Sequence, residues 1–307
     1  MNDNHAAAFY QKPLSIVLLA LCATLLWGAA FPTVKLGYAA FQVDTSHPVN
    51  LMVFAGTRFT LAGIATLLLC GLLHRALPVP QRADLPGILS IGLVQTTGQY
   101  FFYYIGLAHT TGVRASILNA TSAFLTVLLS AAIWKKTEPM TAQKWLGCIM
   151  GLSGVILVNA GGALGTQPVT LLGEGALLAC SVFVTLGAIC SKAFTQGRDP
   201  FLITGWQLTL GGSLLLLGGM ATGGSIGVWS LRGMGLMAFM VFISAVGFTL
   251  WTFLLKYNPV GKVAVFSFLT PVFGALLSSL VLSEQLFSPV TLVALFFAAG
   301  GVLVVNR

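Results

Sequence analysis

Apolar runs of about twenty residues recur along the chain, separated by short polar turns. A helix needs roughly 20 apolar residues to cross the hydrocarbon of a bilayer. Ten segments approach that length: 14–36, 50–73, 85–107, 113–134, 142–159, 173–194, 200–220, 233–255, 262–282 and 289–306. The pattern predicts an all-α integral membrane protein with ten transmembrane helices and no soluble domain between them.

The pattern also repeats. Gly112 to Asn159 and Gly261 to Asn306 share an order of residues: at an offset of 149, Gly112 meets Gly261, Ala115 meets Ala264, Thr121 meets Thr270, Phe124 meets Phe273 and Ser130 meets Ser279. The same offset aligns Thr60, Leu61 and Gly63 with Thr209, Leu210 and Gly212, and Gly98 with Gly247. Past the next turn it drifts to 146, pairing Glu138 with Glu284. One offset held across several helices predicts an internal duplication, a hallmark of transporters in membrane proteins.

The segment LTPVFGALLSSLVLSEQL, from Leu269, followed by a Gly-rich closing helix, resembles the EamA repeat of the drug/metabolite transporter superfamily. WGAAFPTVK from Trp27 and FAGTRFTLAG from Phe54 are similar to earlier landmarks of that repeat. The resemblance spans two copies: a cytoplasmic tail over 1–13, a first repeat over 14–159, an extracytoplasmic linker over 160–172 and a second repeat over 173–306. The first copy departs from the pattern where Ser122 stands opposite Pro271.

Composition agrees with lipid as the solvent. Of 307 residues, 57% are hydrophobic and 7% charged, against roughly 25% charged in soluble domains. The net charge of +8 would suggest nucleic acid in a soluble protein, but the basic residues lie in short loops and form no patch. With the N-terminus placed inside, eleven Lys and Arg fall on the cytoplasmic face (12, 75, 82, 135, 136, 144, 192, 198, 256, 262, 307) and three outside (35, 114, 232). That bias predicts a bacterial inner-membrane protein with both termini cytoplasmic. Five helices per repeat is an odd number, so the second repeat enters from the opposite side and the halves form an inverted pair. The first apolar run continues past residue 30, which favours a retained helix over a cleaved signal peptide. The five cysteines (22, 70, 148, 180, 190) fall inside apolar runs as packing residues, with no C-x-x-C pair.

Polar residues inside apolar runs are the candidates for function, because buried amides in lipid must find partners or line a wet cavity. Gln95 and Gln99 lie one turn apart on helix 3, with Phe102 continuing their stripe and Tyr103 beside it. They read either as a substrate-facing wall or as interhelical glue. Phe248, Trp251 and Thr252 occupy the matched positions of helix 8. Ser116 and Asn119 on helix 4, and Ser267 and the Thr270–Pro271 pair on helix 9, extend the polar set. Pro271 and its mate Ser122 are the candidate gates, since proline removes a backbone hydrogen bond and kinks a helix. On helix 1, Trp27, Phe31 and Lys35 recur every four residues, as a cavity lining or as packed aromatics below a snorkelling lysine. The resemblance implies a central cavity walled by helices 1, 3, 4, 6, 8 and 9, which supports Trp27. Arg58 is the one charge deep within an apolar run, about 12 Å from the outer end of helix 2 at 1.5 Å per residue; such a charge is functional or bound to carbonyls and a loop, with Asp44 and Glu174 as carboxylates near the outer face.

The seven acids (3, 44, 84, 138, 174, 199, 284) all fall in tails, loops or helix ends. The membrane carboxylate on which the superfamily's small multidrug members depend is missing, which disfavours cationic-drug exchange of that design. Glu138 and Glu284 read as helix-end structure, each meeting the positive dipole of the next helix. Gly147, Gly151 and Gly154 on helix 5, with Ala294, Ala298 and Gly301 on helix 10, read as close packing between repeats or between subunits. No catalytic, cofactor or metal motif appears, so no cofactor, metal or nucleic-acid partner is expected. The reading is an alternating-access exporter, monomeric or homodimeric, of neutral or zwitterionic amphipathic metabolites such as aromatic amino acids, coupled to protons or a counter-substrate. The alternative is an importer or drug-efflux transporter of the same fold, for a nucleotide sugar, a vitamin or a cationic drug.

Overall fold

The computed structural model describes residues 8–75, 78–119, 121–160 and 170–283, and singly 289, 292, 293, 296, 297, 300, 301 and 304, with backbone alone at 113, 116, 117, 155, 156 and 158–160. Every regular element among them is helical. Helix α1 is Pro13–Ala40 and α2 is Pro48–His74. Helix α3 runs through Leu85–Ile91, a π-helical stretch Gly92–Gly98, and Gln99–Ala108. Helix α4 comprises Gly112–Leu118 and Thr121–Ile133, and α5 is Ala142–Ala160. Helix α6 opens with a π turn, Leu171–Gly175, and continues as Ala176–Thr195; α7 is Pro200–Ala221 and α8 is Leu231–Tyr257. Helix α9 is Val260–Ala264, a 3-10 turn Val265–Phe268, and Leu269–Leu282. Glu284, and most of the tenth expected segment, lie outside the described residues, as does the side chain of Ser116.

Six of these helices are long and apolar enough to cross a membrane: Pro13–Ala40, Pro48–His74, Leu171–Thr195, Pro200–Ala221, Leu231–Tyr257 and Val260–Leu282. Their starts follow local chemistry. Pro13, Pro48 and Pro200 occupy the first turn, where a missing N–H costs nothing. Side chains of Thr170, Asp199 and Ser230 accept the free N–H groups of the α6, α7 and α8 first turns. The surface inverts that of a soluble protein. Leu14, Leu72, Leu217 and Leu231 face outward, while Thr96, Ser181, Thr204 and Ser244 are fully buried.

The scaffold is the pairing of α2 with α7, helices matched by the offset of 149. Glycines let their backbones touch: a methyl at Gly56 would lie 2.6 Å from Leu216 Cα and 2.8 Å from Gly212 O. Matched residues make reciprocal contacts, Gly63 receiving Thr209 and Gly212 receiving Thr60. Without a hydrophobic drive between helices in lipid, such close packing is what holds them. On α5, Gly147 and Gly151 pack on Gly301. The described part of the small-residue stripe is thus a contact within one chain, between its halves, while Ala294 and Ala298 lie outside the described residues.

Two matched helices are interrupted at matched places. On α4, Asn119 forms a turn, and Ser122 N–H donates to Asn119 O only three residues back, at 3.1 Å. The Ser122 hydroxyl donates to the same carbonyl at 2.6 Å. On α9 the 3-10 turn ends just before Pro271. A serine hydroxyl thus accompanies the break on α4 at the position matched by Pro271 on α9. Irregular backbone of this kind at membrane depth persists where it lines a cavity.

Candidate functional site

A cavity lies beside both interruptions and the π-helical stretch of α3. Trp27 and Phe31 reach it from α1, Gln95, Gln99 and Tyr103 from α3, and Asn119 and Ser122 from α4. Phe248 and Trp251 face it from α8 and Ser267 from α9. Sequence reasoning missed further lining residues: Tyr100, Thr126, the α6 pair Val184 and Ala188, Leu255 and Ala264.

One side of the cavity is aromatic. Trp27 lies with its ring centroid 4.9 Å from Trp251 and 5.5 Å from Phe248. The Trp27 indole nitrogen rests 2.7 Å from where a side chain on Gly247 would begin, so only glycine admits it. The other half of the chain repeats this motif: Phe183 fills the space over Gly98, the mate of Gly247, and stacks on Phe102, the mate of Trp251, at 5.5 Å. Phe102 does not reach the cavity and packs against α6 instead. The duplicated motif lines the cavity in one half and packs helices in the other.

The polar groups divide into two kinds. Hydroxyls bind neighbouring helices: Thr96 donates to Gln207 Oε1 at 2.6 Å, Thr97 to Gly211 O at 3.0 Å, and Thr126 to Thr185 Oγ1 at 3.1 Å. The side chains of Gln95, Gln99 and Asn119 have no hydrogen-bond partner among the described residues, although they sit on the wall. Trp27 Nε1 and Thr270 Oγ1, also on the wall, are buried with no partner among the described residues. Buried polar groups are ordinarily satisfied, so Trp27 Nε1 and Thr270 Oγ1 stand out, while Gln95, Gln99 and Asn119 present their amides to the cavity.

Thr252 corrects the expectation drawn from its matched position. It accepts from Thr204 at 2.9 Å and donates to Phe248 O at 2.8 Å, so its hydroxyl joins α7 to α8 and is not on the wall. Pro271 is buried beside the cavity-lining Thr270 without reaching the wall itself. Lys35 donates to Thr110 O at 2.9 Å and ties α1 to the α3–α4 turn.

Arg58 reaches the cavity from α2, a helix expected to lie outside its wall. Its Nε donates to Ser244 Oγ at 2.9 Å and Met240 O at 3.2 Å, and Nη1 donates to Tyr104 OH at 3.0 Å. The guanidinium also sits 4.9 Å from the Phe59 ring centre. Nη2 has no partner among the described residues, and neither suggested carboxylate pairs with it. Glu174 binds Arg114 at 2.8 Å and accepts Thr170 N–H at 2.8 Å. Asp44 accepts from the Ser46 hydroxyl at 2.6 Å, from Ser46 N–H and from His47, bonds that hold its carboxyl below the usual range, led by the Ser46 hydroxyl.

Glu138 serves a helix end, as expected, but not that of the next helix. It leaves the start of α5 to Thr141, whose hydroxyl accepts Lys144 N–H, and instead caps α9 in the other half. Its two oxygens accept Val260 N–H at 2.9 Å and Gly261 N–H at 2.7 Å. Hydrogen bonds to a charged group contribute roughly 1.5–3 kcal/mol each. Glu138→Gln, which keeps one acceptor and loses the charge, is expected to lower the detergent-state Tm by several degrees. An unchanged Tm would show that this cap contributes nothing.

Comparisons with known proteins converge. Residues 14–160 and 171–307 each match the EamA-like transporter family. The uncharacterized transporter YvbV of Bacillus subtilis (strain 168) is 28% identical over 90% of this chain and 86% of its own. The uncharacterized transporter sll0355 of Synechocystis sp. (strain ATCC 27184 / PCC 6803 / Kazusa) is 27% identical over 86% of this chain and 81% of its own. The uncharacterized inner membrane transporter YedA of Escherichia coli (strain K12) is 25% identical over 87% and 82%. A crystal structure superimposes with a TM-score of 0.74 at 21% identity, over 94% of this chain and 96% of that one, which speaks to the fold. Two family matches end to end, on a bundle of apolar helices around a polar-aromatic cavity, make this chain a multi-pass membrane transporter of the EamA-like family.

Proposed function

We propose that the protein exports small zwitterionic amphipathic metabolites, aromatic amino acids among them, from the bacterial cytoplasm. In this reading ten helices form two inverted five-helix repeats in the inner membrane, with both termini cytoplasmic, and the cavity opens alternately to either face. The observation that carries it is the cavity's unspent chemistry: aromatic rings beside open carboxamides, an indole N–H and a guanidinium edge, with no carboxylate on the wall among the described residues. A substrate carboxylate is complementary to Arg58 Nη2 and Trp27 Nε1. Its ammonium suits the carboxamide oxygens of Gln95, Gln99 and Asn119 and the faces of the rings. An aromatic side chain packs with Phe248 and Trp251. The interruptions at Ser122 and before Pro271 are the hinges of the gates, with Ser267 on the same wall.

The test is uptake of labelled phenylalanine into proteoliposomes. Trp251→Ala removes a ring worth about 0.5–1.5 kcal/mol beyond its area, so transport is expected to fall about tenfold. Gln99→Ala removes a hydrogen bond worth about 1 kcal/mol and lowers transport roughly fivefold. Both variants are expected to insert into the membrane. Unchanged transport in both would remove this cavity as the substrate site.

A further inference from the structure

Away from the cavity, Cys70 and His74 stand one turn apart near the end of α2 and share a face. Asp199, the N-cap of α7, reaches the same point. Its Oδ1 accepts Phe201 N–H at 2.9 Å, and its Oδ2 lies 3.3 Å from His74 Nδ1 and 3.8 Å from Cys70 Sγ. A thiol, an imidazole and a carboxylate thus converge within 4.8 Å of one another. We infer that these three side chains bind a zinc-class divalent cation.

The Cys70 thiol donates to Asp199 Oδ2 and His74 Nδ1 lies beside the same oxygen, so all three side chains share one focus, which an ion can occupy. Around tetrahedral zinc, bonds of about 2.0 Å to nitrogen and oxygen and 2.3 Å to sulfur set N and O about 3.3 Å apart and S and O about 3.5 Å apart. The two separations to Asp199, 3.3 Å and 3.8 Å, are close to those edges, and the third, between Cys70 and His74, is within 4.8 Å. Thiolate with imidazole is the donor set that borderline and soft divalent ions prefer over calcium or magnesium. The Phe201 N–H fixes the Asp199 carboxylate so that Oδ2 remains directed at the cluster, the outer hydrogen bond that ligating carboxylates carry.

The cluster is reachable and its consequence is local. Cys70 is buried, whereas the His74 side chain is 54% exposed, so the ion enters past the imidazole and a water completes its shell. On binding, the Cys70 thiol gives its proton to solvent and coordinates as thiolate. The ion then joins the ends of α2 and α7, the two scaffold helices, and stabilises their pairing without touching the cavity.

Cobalt(II) titration of the full-length, chelator-treated protein in detergent tests this. Thiolate ligation gives a near-ultraviolet charge-transfer band that a His–Asp ion pair cannot produce. The band is expected to saturate at one ion per chain, to vanish in Cys70→Ser and to be reversed by zinc. His74→Ala is expected to bind more than about 100-fold more weakly, beyond the range for losing an outer partner. Zinc raises the Tm of the parent and not of His74→Ala, a variant at an exposed position that keeps the fold even if Cys70→Ser does not. No band in the parent would overturn the site. So would a band that survives Cys70→Ser, which would belong to Cys22 or Cys190, or zinc stabilisation that survives His74→Ala.

Discussion

Gly56→Leu is expected to yield little monodisperse protein, and what is recovered should melt well below the parent. The new side chain would start 2.6 Å from Leu216 Cα and closer still to Leu216 N, so it meets α7 backbone that no rotamer change can clear. The helices must separate, and separation also strips the contacts at Gly63, Gly205, Gly212 and Gly219 along the same seam. Overpacking costs about 1–3 kcal/mol where side chains can yield, and more where they cannot. At roughly 2–4 °C per kcal/mol, the loss is about 10 °C or greater. Gly235→Leu is the control, because nothing lies within 4 Å of its new Cβ. It should purify and melt as the parent does. A Gly56→Leu protein with the parent's Tm would mean that the α2–α7 seam is not the scaffold.

That seam explains what the sequence could and could not disclose. The offset of 149 pairs Thr60 with Thr209 and Gly63 with Gly212, and these same residues meet across the seam. Duplication was legible because a repeat leaves its mark residue by residue. Much of the cavity wall was legible for a related reason: Gln95, Gln99 and Asn119 are conspicuous in apolar runs, and lipid tolerates such groups only for a purpose. The resemblance implied that α6 takes part, but not which of its residues do, since Val184 and Ala188 look like any lipid-facing or packed residues. Thr252 misled because matched positions need not share surroundings. Its neighbour Trp251 meets Trp27 at the cavity, while Phe102, the mate of Trp251, stacks on Phe183 outside it. Glu138 misled because a dipole argument is local, whereas its partners Val260 and Gly261 lie more than a hundred residues away. Arg58 was visible as a charge, but nothing in the chain marks Ser244 and Tyr104 as the groups that hold it.

Arg58→Met is expected to fold and to lose transport, a separation that distinguishes a substrate group from a structural one. Breaking a buried ion pair strands the opposite charge at a cost of about 3–5 kcal/mol. Here no carboxylate is stranded among the described residues: the partners of Arg58 are a hydroxyl, a phenol and the Met240 carbonyl. An apolar side chain of similar length among Phe59, Tyr100 and Tyr104 leaves the Met240 carbonyl and the Ser244 and Tyr104 hydroxyls without this donor, so the Tm should fall by several degrees while the fold is kept. Transport should fall roughly tenfold to a hundredfold, the equivalent of one hydrogen bond to a charged group at about 1.5–3 kcal/mol. Ligand-induced thermal shifts carry the sharper readout. With the parent protein, phenylalanine should stabilise and its methyl ester should not, because only the free carboxylate pairs with Nη2. In Arg58→Met the two ligands should become equivalent, while Arg58→Lys, which keeps the charge without the planar fork, should recover part of the difference. If phenylalanine still outperforms its ester by the parental margin in Arg58→Met, the carboxylate is bound elsewhere. If Arg58→Met instead fails to fold while Arg58→Lys folds and transports normally, the guanidinium serves the packing of α2 on α3 and α8 and has no part in recognition.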